Sequence, residues 1–318
     1  MIFFYGEGRL GNQVFQYQAL SRIVKPRERI LAVGLEDLHR CLELSGPEPV
    51  VLTRRRIIKG AVKIALVALL LRPLARTFRV LNYAYETRCG VPPNDGASGQ
   101  MTLRPGLLRF LTFIDGGYYQ NSSYWPSLFP ATLFRIKENL RDAARRYLVS
   151  TAGTHRVQVF VHVRRGDYLS HTDYGLKDLA LPATYYYSAI AELRKQLGPA
   201  HLVFVTDDTM WVEKNFQDIS DKSIASFDAD MDFGIMTQCT AGILSNSTFS
   251  LAAALMMNNP RIVIAPKYWL GFREGAWYPP EIRFRHSTLS YLAVEGRDRD
   301  SIDMTIDSSA LAEHASGL

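Results

Sequence analysis

Arg164 and Arg165 are the residues best placed by type and spacing to do chemistry, because they set two fixed positive charges side by side after the run 157–163. That run alternates, with Val157, Val159, Val161 and Val163 on one face and Gln158, Phe160 and His162 on the other, which predicts a strand. The arginines then fall at its carboxyl end, where open α/β sheets bind ligands. A guanidinium stays charged and its planar fork matches phosphate, so the pair predicts a pyrophosphate site that needs no metal. The plainer alternative is a surface pair neutralised by Asp167 and Asp173.

Three other groups of residues carry chemistry. Gly6-Glu7-Gly8-Arg9-Leu10-Gly11 follows an apolar run and precedes a helical pattern, which is the spacing of a dinucleotide fingerprint. Read that way, the chain is an NAD-dependent oxidoreductase with Glu36 or Asp37 on a ribose. Both carboxylates come somewhat later than the customary ~20 residues after the motif, and Asn12 and the arginine pair are left without a task. A glycine turn that brings backbone close to a ligand, with Asn12 reaching the reaction centre, uses more of the residues. Asp207-Asp208 ends another strand candidate and offers carboxylates to a base or ribose, while Asp208 also suits a helix N-cap. Asp228-Ala229-Asp230 spells the Asp-x-Asp pattern by which other sugar transferases hold a divalent metal. In the plainer reading Asp230 caps the next helix and Asp232 faces a guanine edge. Ser245-Asn246-Ser247-Thr248 leads into an apolar helix, where amides, hydroxyls and the helix dipole favour phosphate. Capping by Ser247 or Thr248 is compatible with that role.

The elements that must position these groups are clearest after His155. Strands are predicted at 157–163, 202–206, 224–227, 242–244 and 261–265, with helices at 183–196, 209–216, 232–239 and 249–257. Such alternation implies a parallel sheet with right-handed crossovers and a nucleotide-binding type of domain. The first half opens with a strand, a glycine turn, a helix and a second strand at 30–33, suggesting another α/β layer, whereas 54–115 carries little pattern. The expected division is 1–150, an acceptor-side α/β domain, then 151–285, the donor-binding domain, then an acidic, poorly ordered tail at 286–318. The polar and aromatic segment 115–123 is a plausible wall of the cleft between them.

The formal charge is +6 at 47% hydrophobic composition over 318 residues, enough to bury a large core. The basic surplus is local: no acidic residue lies between Pro49 and Tyr85, and no base-stacking motif accompanies it, so no nucleic acid partner is expected. Cys41, Cys89 and Cys239 are too scattered for a disulfide framework or zinc site, and the amino terminus shows no signal peptide, so a cytoplasmic protein is expected. The run Ile64 to Leu71 falls short of the ~20 residues of a membrane span. Its basic flanks within 54–79 permit weak peripheral association with the inner membrane surface.

The run Gly8 to Tyr17, the stretch His162-Val163-Arg164-Arg165-Gly166-Asp167-Tyr168, Leu181-Pro182 with Tyr185 to Tyr187, Val205 to Asp208 with Trp211, Ser245 to Ser250, and Pro266 to Trp269 occur in this order over residues 1–285. Together they resemble the inverting α-1,2-fucosyltransferases of glycosyltransferase family 11. The resemblance implies a bacterial-type enzyme of GT-B fold, two Rossmann-like domains facing a central cleft. It also implies GDP-β-L-fucose as donor, a terminal β-galactoside as acceptor, and no cofactor or metal. Carried onto this chain, Arg164 and Arg165 grip the diphosphate, His162 and Gly11 help place the nucleotide, and Asp208 and Asp232 bind the nucleoside. Asn246, Ser247 and Thr248 bind phosphate, and Asn12 lies near the fucose. Arg165, Asp167, Asn12 and His162 form the expected catalytic set, with Asp167 as base or as orienter of the arginines. On this reading Arg165→Ala lowers kcat/KM by about 10²–10³-fold. Leu251-Ala252 stands where family members often carry a Trp pair. A non-catalytic glycan-binding protein of the same fold is the remaining alternative.

Overall fold

The computed structural model describes residues 1–25, 28–46, 50–51, 70–86, 101–125, 133–152, 157–170, 175–284 and 287–294. Asp173, Cys89, segment 54–69 and the acidic tail beyond residue 294 lie outside the described residues. Two six-stranded sheets organise the rest. The first contains β1 (Ile2–Tyr5), β2 (Ile30–Val33), β4 (Val50–Val51), β5 (Leu81–Glu86), β6 (Met101–Arg104) and β7 (Leu108–Ile114), in the order β4-β2-β1-β7-β5-β6. Its pairings are parallel except β5 with β6, which closes one edge antiparallel. Helix α1 (Leu10–Ile23) and the short α2 (Glu36–Cys41) follow β1 and β2. The β3 (Leu42–Leu44) strand pairs antiparallel with β8 (Phe134–Ile136), and helix α3 (Glu138–Ala152) follows.

The second sheet runs β11-β10-β9-β12-β13-β14 and is parallel throughout. Its strands are β9 (Gln158–Val163), β10 (His201–Thr206), β11 (Lys222–Ala225), β12 (Ala241–Ile243), β13 (Val263–Pro266) and β14 (Leu289–Leu292). Helices α4 (Ala183–Leu197), α5 (Thr209–Asn215), α6 (Ala229–Gln238) and α7 (Thr248–Leu255) connect them. Every strand and helix expected after residue 155 is present within a few residues of its predicted bounds. The reason is visible in β9: Val159, Phe160, Val161, His162 and Val163 are all buried, as a central parallel strand covered on both faces requires.

Two boundaries differ from the expected division. Helix α3 packs on the second lobe, with Ala144 and Leu148 in one core with Phe233 and Met236, and Tyr147 Oη donating to the Ile224 carbonyl at 3.3 Å. A cut at residue 150 would therefore pass through an element of the second lobe. At the other end, β14 extends the second sheet past residue 285 by pairing with β13.

Candidate active site

The carboxyl ends of both sheets face one crevice of about 510 Å³, within the range of small-molecule sites. One wall carries Gly8 to Asn12, Asp37, Tyr118 and Gln120 from the first lobe. The other carries His162, Arg164, Asp167, Tyr168, Asp207, Asp232 and the Asn246 to Phe249 run.

The lobes meet closely beside this crevice. A Cβ added at Gly11 would lie 2.5 Å from the Phe249 backbone nitrogen and 2.6 Å from the Thr248 carbonyl carbon, so the start of α1 abuts the start of α7. Gly11 lines the crevice, and its missing side chain serves this contact between lobes. That use leaves the dinucleotide reading without its third glycine. Gly8 turns at φ +80°, where a Cβ would meet the Asn12 amide nitrogen at 2.4 Å. Thr248 Oγ1 donates to Asn12 Oδ1 at 2.8 Å and Gln120 Nε2 donates to the same oxygen at 3.2 Å. The Asn12 oxygen is thus used twice inside the protein, which leaves its N–H groups for a ligand. Gly11→Ala should cost about 1–3 kcal/mol by over-packing against backbone, read as a lowered Tm by differential scanning calorimetry.

The arginine pair separates. Arg164 lines the crevice, with Nη2 on Asp167 at 2.7 Å and Nη1 on Asp207 at 2.9 Å, its side chain 25% exposed. Those ion pairs take one hydrogen on each terminal nitrogen and leave others for a ligand. Arg165 is absent from the crevice wall: its guanidinium lies 4.3 Å from the centre of the Trp211 ring and its Nε donates to Asp208 at 3.2 Å. The expectation of two guanidiniums closing on one diphosphate therefore needs correction. Successive residues leaving a strand project to opposite sides, and only the first projects into the cleft.

Asp208 also lies outside the crevice wall. It caps α5, accepting from the Trp211 N–H at 3.0 Å, as the plainer reading held. Asp207, which does line the crevice, accepts from the Arg165 backbone N–H at 2.9 Å while pairing with Arg164. Asp228, and not Asp230, caps α6 by accepting from the Met231 N–H at 2.9 Å. Asp230 forms a forked ion pair with Arg40 of α2 across the lobes, its second contact being 2.8 Å. Both aspartates of the Asp-x-Asp run thus make protein contacts.

Asp232 lines the crevice and accepts from the Phe227 N–H at 3.1 Å. Burial, helped by the Asp228 charge, pushes its carboxyl up to about 6, against the pull of that backbone N–H. His162 is buried with Nδ1 2.8 Å from Ser245 Oγ. Desolvation, then the Arg164 charge, pushes it down to about 3, so the ring is neutral at working pH and serves as a hydrogen-bonding group. Its unfolded counterpart takes a proton near 6.5, so the fold gains fully from the neutral ring above that pH and loses the gain as pH falls toward 3. His162→Asn should flatten the dependence of Tm on pH between 6.5 and 4, with no change in slope above 7.

Ser247 caps α7 through the Phe249 N–H at 3.3 Å, and both Ser247 and Thr248 line the crevice at that helix start. Asn246 behaves differently from the expectation of a phosphate donor. Its Nδ2 is spent on the Leu179 carbonyl at 2.8 Å, and its Oδ1 is buried with no hydrogen-bond partner among the described residues. An acceptor there suits a hydroxyl and repels a phosphate oxygen. Gln120 and Tyr118 were missed as individual site residues, although segment 115–123 was expected to wall the cleft, and Asp37 was named only within the dinucleotide alternative. Tyr118 and Gln120 follow β7, whose neighbour in the sheet is β1, a pairing no local pattern announces.

Two facing sheets of Rossmann type with a crevice at their carboxyl ends are the architecture of the GT-B fold. The profile of glycosyl transferase family 11 matches residues 106–273, more than half of the chain, and the chain belongs to that family. Among curated proteins it is similar to the O-antigen biosynthesis glycosyltransferase WbnK of Escherichia coli, 24% identical over 82% of this chain and 92% of that protein. It is likewise similar to the galactoside 2-alpha-L-fucosyltransferase SEC1 of Bos taurus, 23% identical over 93% of this chain and 75% of that protein. Among solved structures, the fucosyltransferase NodZ from Bradyrhizobium matches at 10% identity and a TM-score of 0.40 over 83% of this chain and 94% of that one, too distant to bear on the site.

Proposed function

We propose that this protein is an inverting α-1,2-fucosyltransferase that moves L-fucose from GDP-β-L-fucose to the 2-hydroxyl of a terminal β-galactoside without a metal. The observation that carries the reading is Arg164 and the start of α7 side by side on one wall of the crevice, at the ends of the paired strands β9 and β12. A fixed cation and a helix N-terminus converge there on the position a leaving diphosphate would take. The name of the Bos taurus relative supplies the sugar and the acceptor class.

In this mechanism the bond from fucose C1 to the β-phosphate oxygen breaks and its electrons pass to GDP. Negative charge grows on that phosphate while the sugar becomes oxocarbenium-like. Arg164, the α7 amides, that of Thr248 among them, and the hydroxyl of Ser247 stabilise that charge more in the transition state than in the ground state. Asp167 and Asp207 hold the Arg164 fork in place. Asp232 accepts from the guanine N–H edge, and the neutral His162 ring fills the wall between base and phosphate. Asn12 N–H groups bind sugar hydroxyls. The galactose 2-hydroxyl attacks C1 from the face opposite the leaving group and its proton passes to solvent as the new C–O bond forms, giving an α-linked product and free GDP.

The test is GDP release on incubation with GDP-L-fucose and a panel of terminal galactosides, with the product linkage read by NMR. An α-1,2 linkage formed in the presence of EDTA is expected. A β-linked product, or loss of turnover on chelation, would overturn the inverting or the metal-free part. Donor binding without GDP release would make the chain a glycan-binding module.

A further inference from the structure

The end of the first sheet opposite the crevice carries a surface that the fucosyl-transfer reading does not use. β1 and β7 deliver Gly8 and Gln120 to the crevice at their carboxyl ends, so their amino ends lie at the far side of that lobe. There Val80 N–H donates to the Leu74 carbonyl at 2.8 Å and Leu107 N–H donates to the Arg79 carbonyl at 2.9 Å, tying two chain segments together. At this end Phe78 is 69% exposed, Leu107 82% and Phe110 68%, with Leu74 beside them at 37%. The register jumps from Leu81↔Leu108 to Asn82↔Thr112, and this irregularity in β7 turns Arg109 and Phe110 outward.

The charge around these apolar tips is mostly positive, the one carboxylate recorded beside them being Glu28, which lies 3.7 Å from the amino terminus that donates to the Phe110 carbonyl. Arg76, Arg79, Arg104 and Arg109 are exposed, and none forms an ion pair among the described residues. Segments 70–85 and 101–114, which build the surface, contain no aspartate or glutamate at all. Exposed apolar residues ringed by arginines suit the boundary between hydrocarbon and anionic headgroups, where aliphatic and aromatic tips insert and guanidiniums stay at phosphate level. A two-fold contact with a second copy would instead set these arginines against their own counterparts.

We infer that this face docks the enzyme on an anionic lipid bilayer, with the crevice at the opposite end of the lobe and open to solvent. The surface includes residues 74–79 of the basic segment 54–79, where the sequence alone suggested membrane contact, and adds the turn and strand at 104–110.

Flotation of the full chain with vesicles tests this. Binding is expected to phosphatidylcholine vesicles containing phosphatidylglycerol and not to pure phosphatidylcholine. Arg79→Gln with Arg109→Gln should lower the partition coefficient about 30-fold, at about fivefold per basic residue near the surface. Phe78→Ser with Phe110→Ser should lower it by about tenfold or more. Circular dichroism melts of each variant establish that the fold is retained. The inference falls if the wild type ignores phosphatidylglycerol, or if correctly folded variants bind as the wild type does. It falls too if light scattering shows a dimer that the same substitutions dissociate.

Discussion

Arg164→Ala is expected to lower kcat/KM for fucosyl transfer by about 10²–10³-fold, about 3–4 kcal/mol of transition-state stabilisation. The effect should fall mainly on kcat, since charge on the departing β-phosphate is larger in the transition state than in bound GDP-fucose. Arg164→Lys should recover little, because an ammonium cannot hold Asp167 and Asp207 through separate nitrogens while still reaching phosphate. Arg165→Ala should cost less than Arg164→Ala, acting through the Trp211 stack and Asp208, and it should lower Tm as well as activity. Steady-state kinetics on the three variants decide the order. Equal or greater loss at Arg165 would return the catalytic role to the second arginine.

Asp232→Asn is expected to weaken GDP binding by about 10²-fold, because the amide sets N–H groups against the guanine donors that the carboxylate accepts. The same change should stabilise the ligand-free protein. The folded carboxyl takes its proton near 6 and the unfolded one near 3.8, so the folded state holds more protons between those values. Stability therefore falls as pH rises through that window, and above it the buried carboxylate costs at most about 3 kcal/mol. Removing the charge should raise Tm at pH 8 and leave it unchanged at pH 3. In the proposed mechanism ionised Asp232 is the form that accepts from guanine, so GDP affinity in the wild type should drop as pH falls below 6. That limb should vanish in Asp232→Asn and persist in His162→Asn. Calorimetric titration with GDP across pH checks both halves, and unchanged affinity in Asp232→Asn would remove it from the base site.

These two residues also mark where sequence reading succeeded and where it stopped. Asp232 was legible because β11, the loop and α6 are written locally, and an acidic residue one step inside a helix after a strand end must face the cleft or the solvent. Arg164 and Arg165 were legible as a pair but not as individuals. Which one enters the crevice depends on the backbone from Val163 to Asp167, where a Cβ on Gly166 would sit 2.8 Å from Asp207 Oδ2. The three aspartates at 228, 230 and 232 show the same limit. Any of them could cap a helix by type, and the choice went to Asp228 because Asp230 is drawn to Arg40, 190 residues away in sequence.

The amino-acid sequence by itself determined the second sheet, the order of its helices, the crevice-side motifs and the family, because hydrophobic period, turn residues and caps act over a few residues and leave a local trace. Tertiary structure alone decided what touches what across the crevice: Gly11 against Phe249, Thr248 and Gln120 on Asn12, Arg40 on Asp230, and one arginine in the cleft with its neighbour out. Those contacts join residues far apart in the chain through packing and charge, and no window of sequence holds both partners.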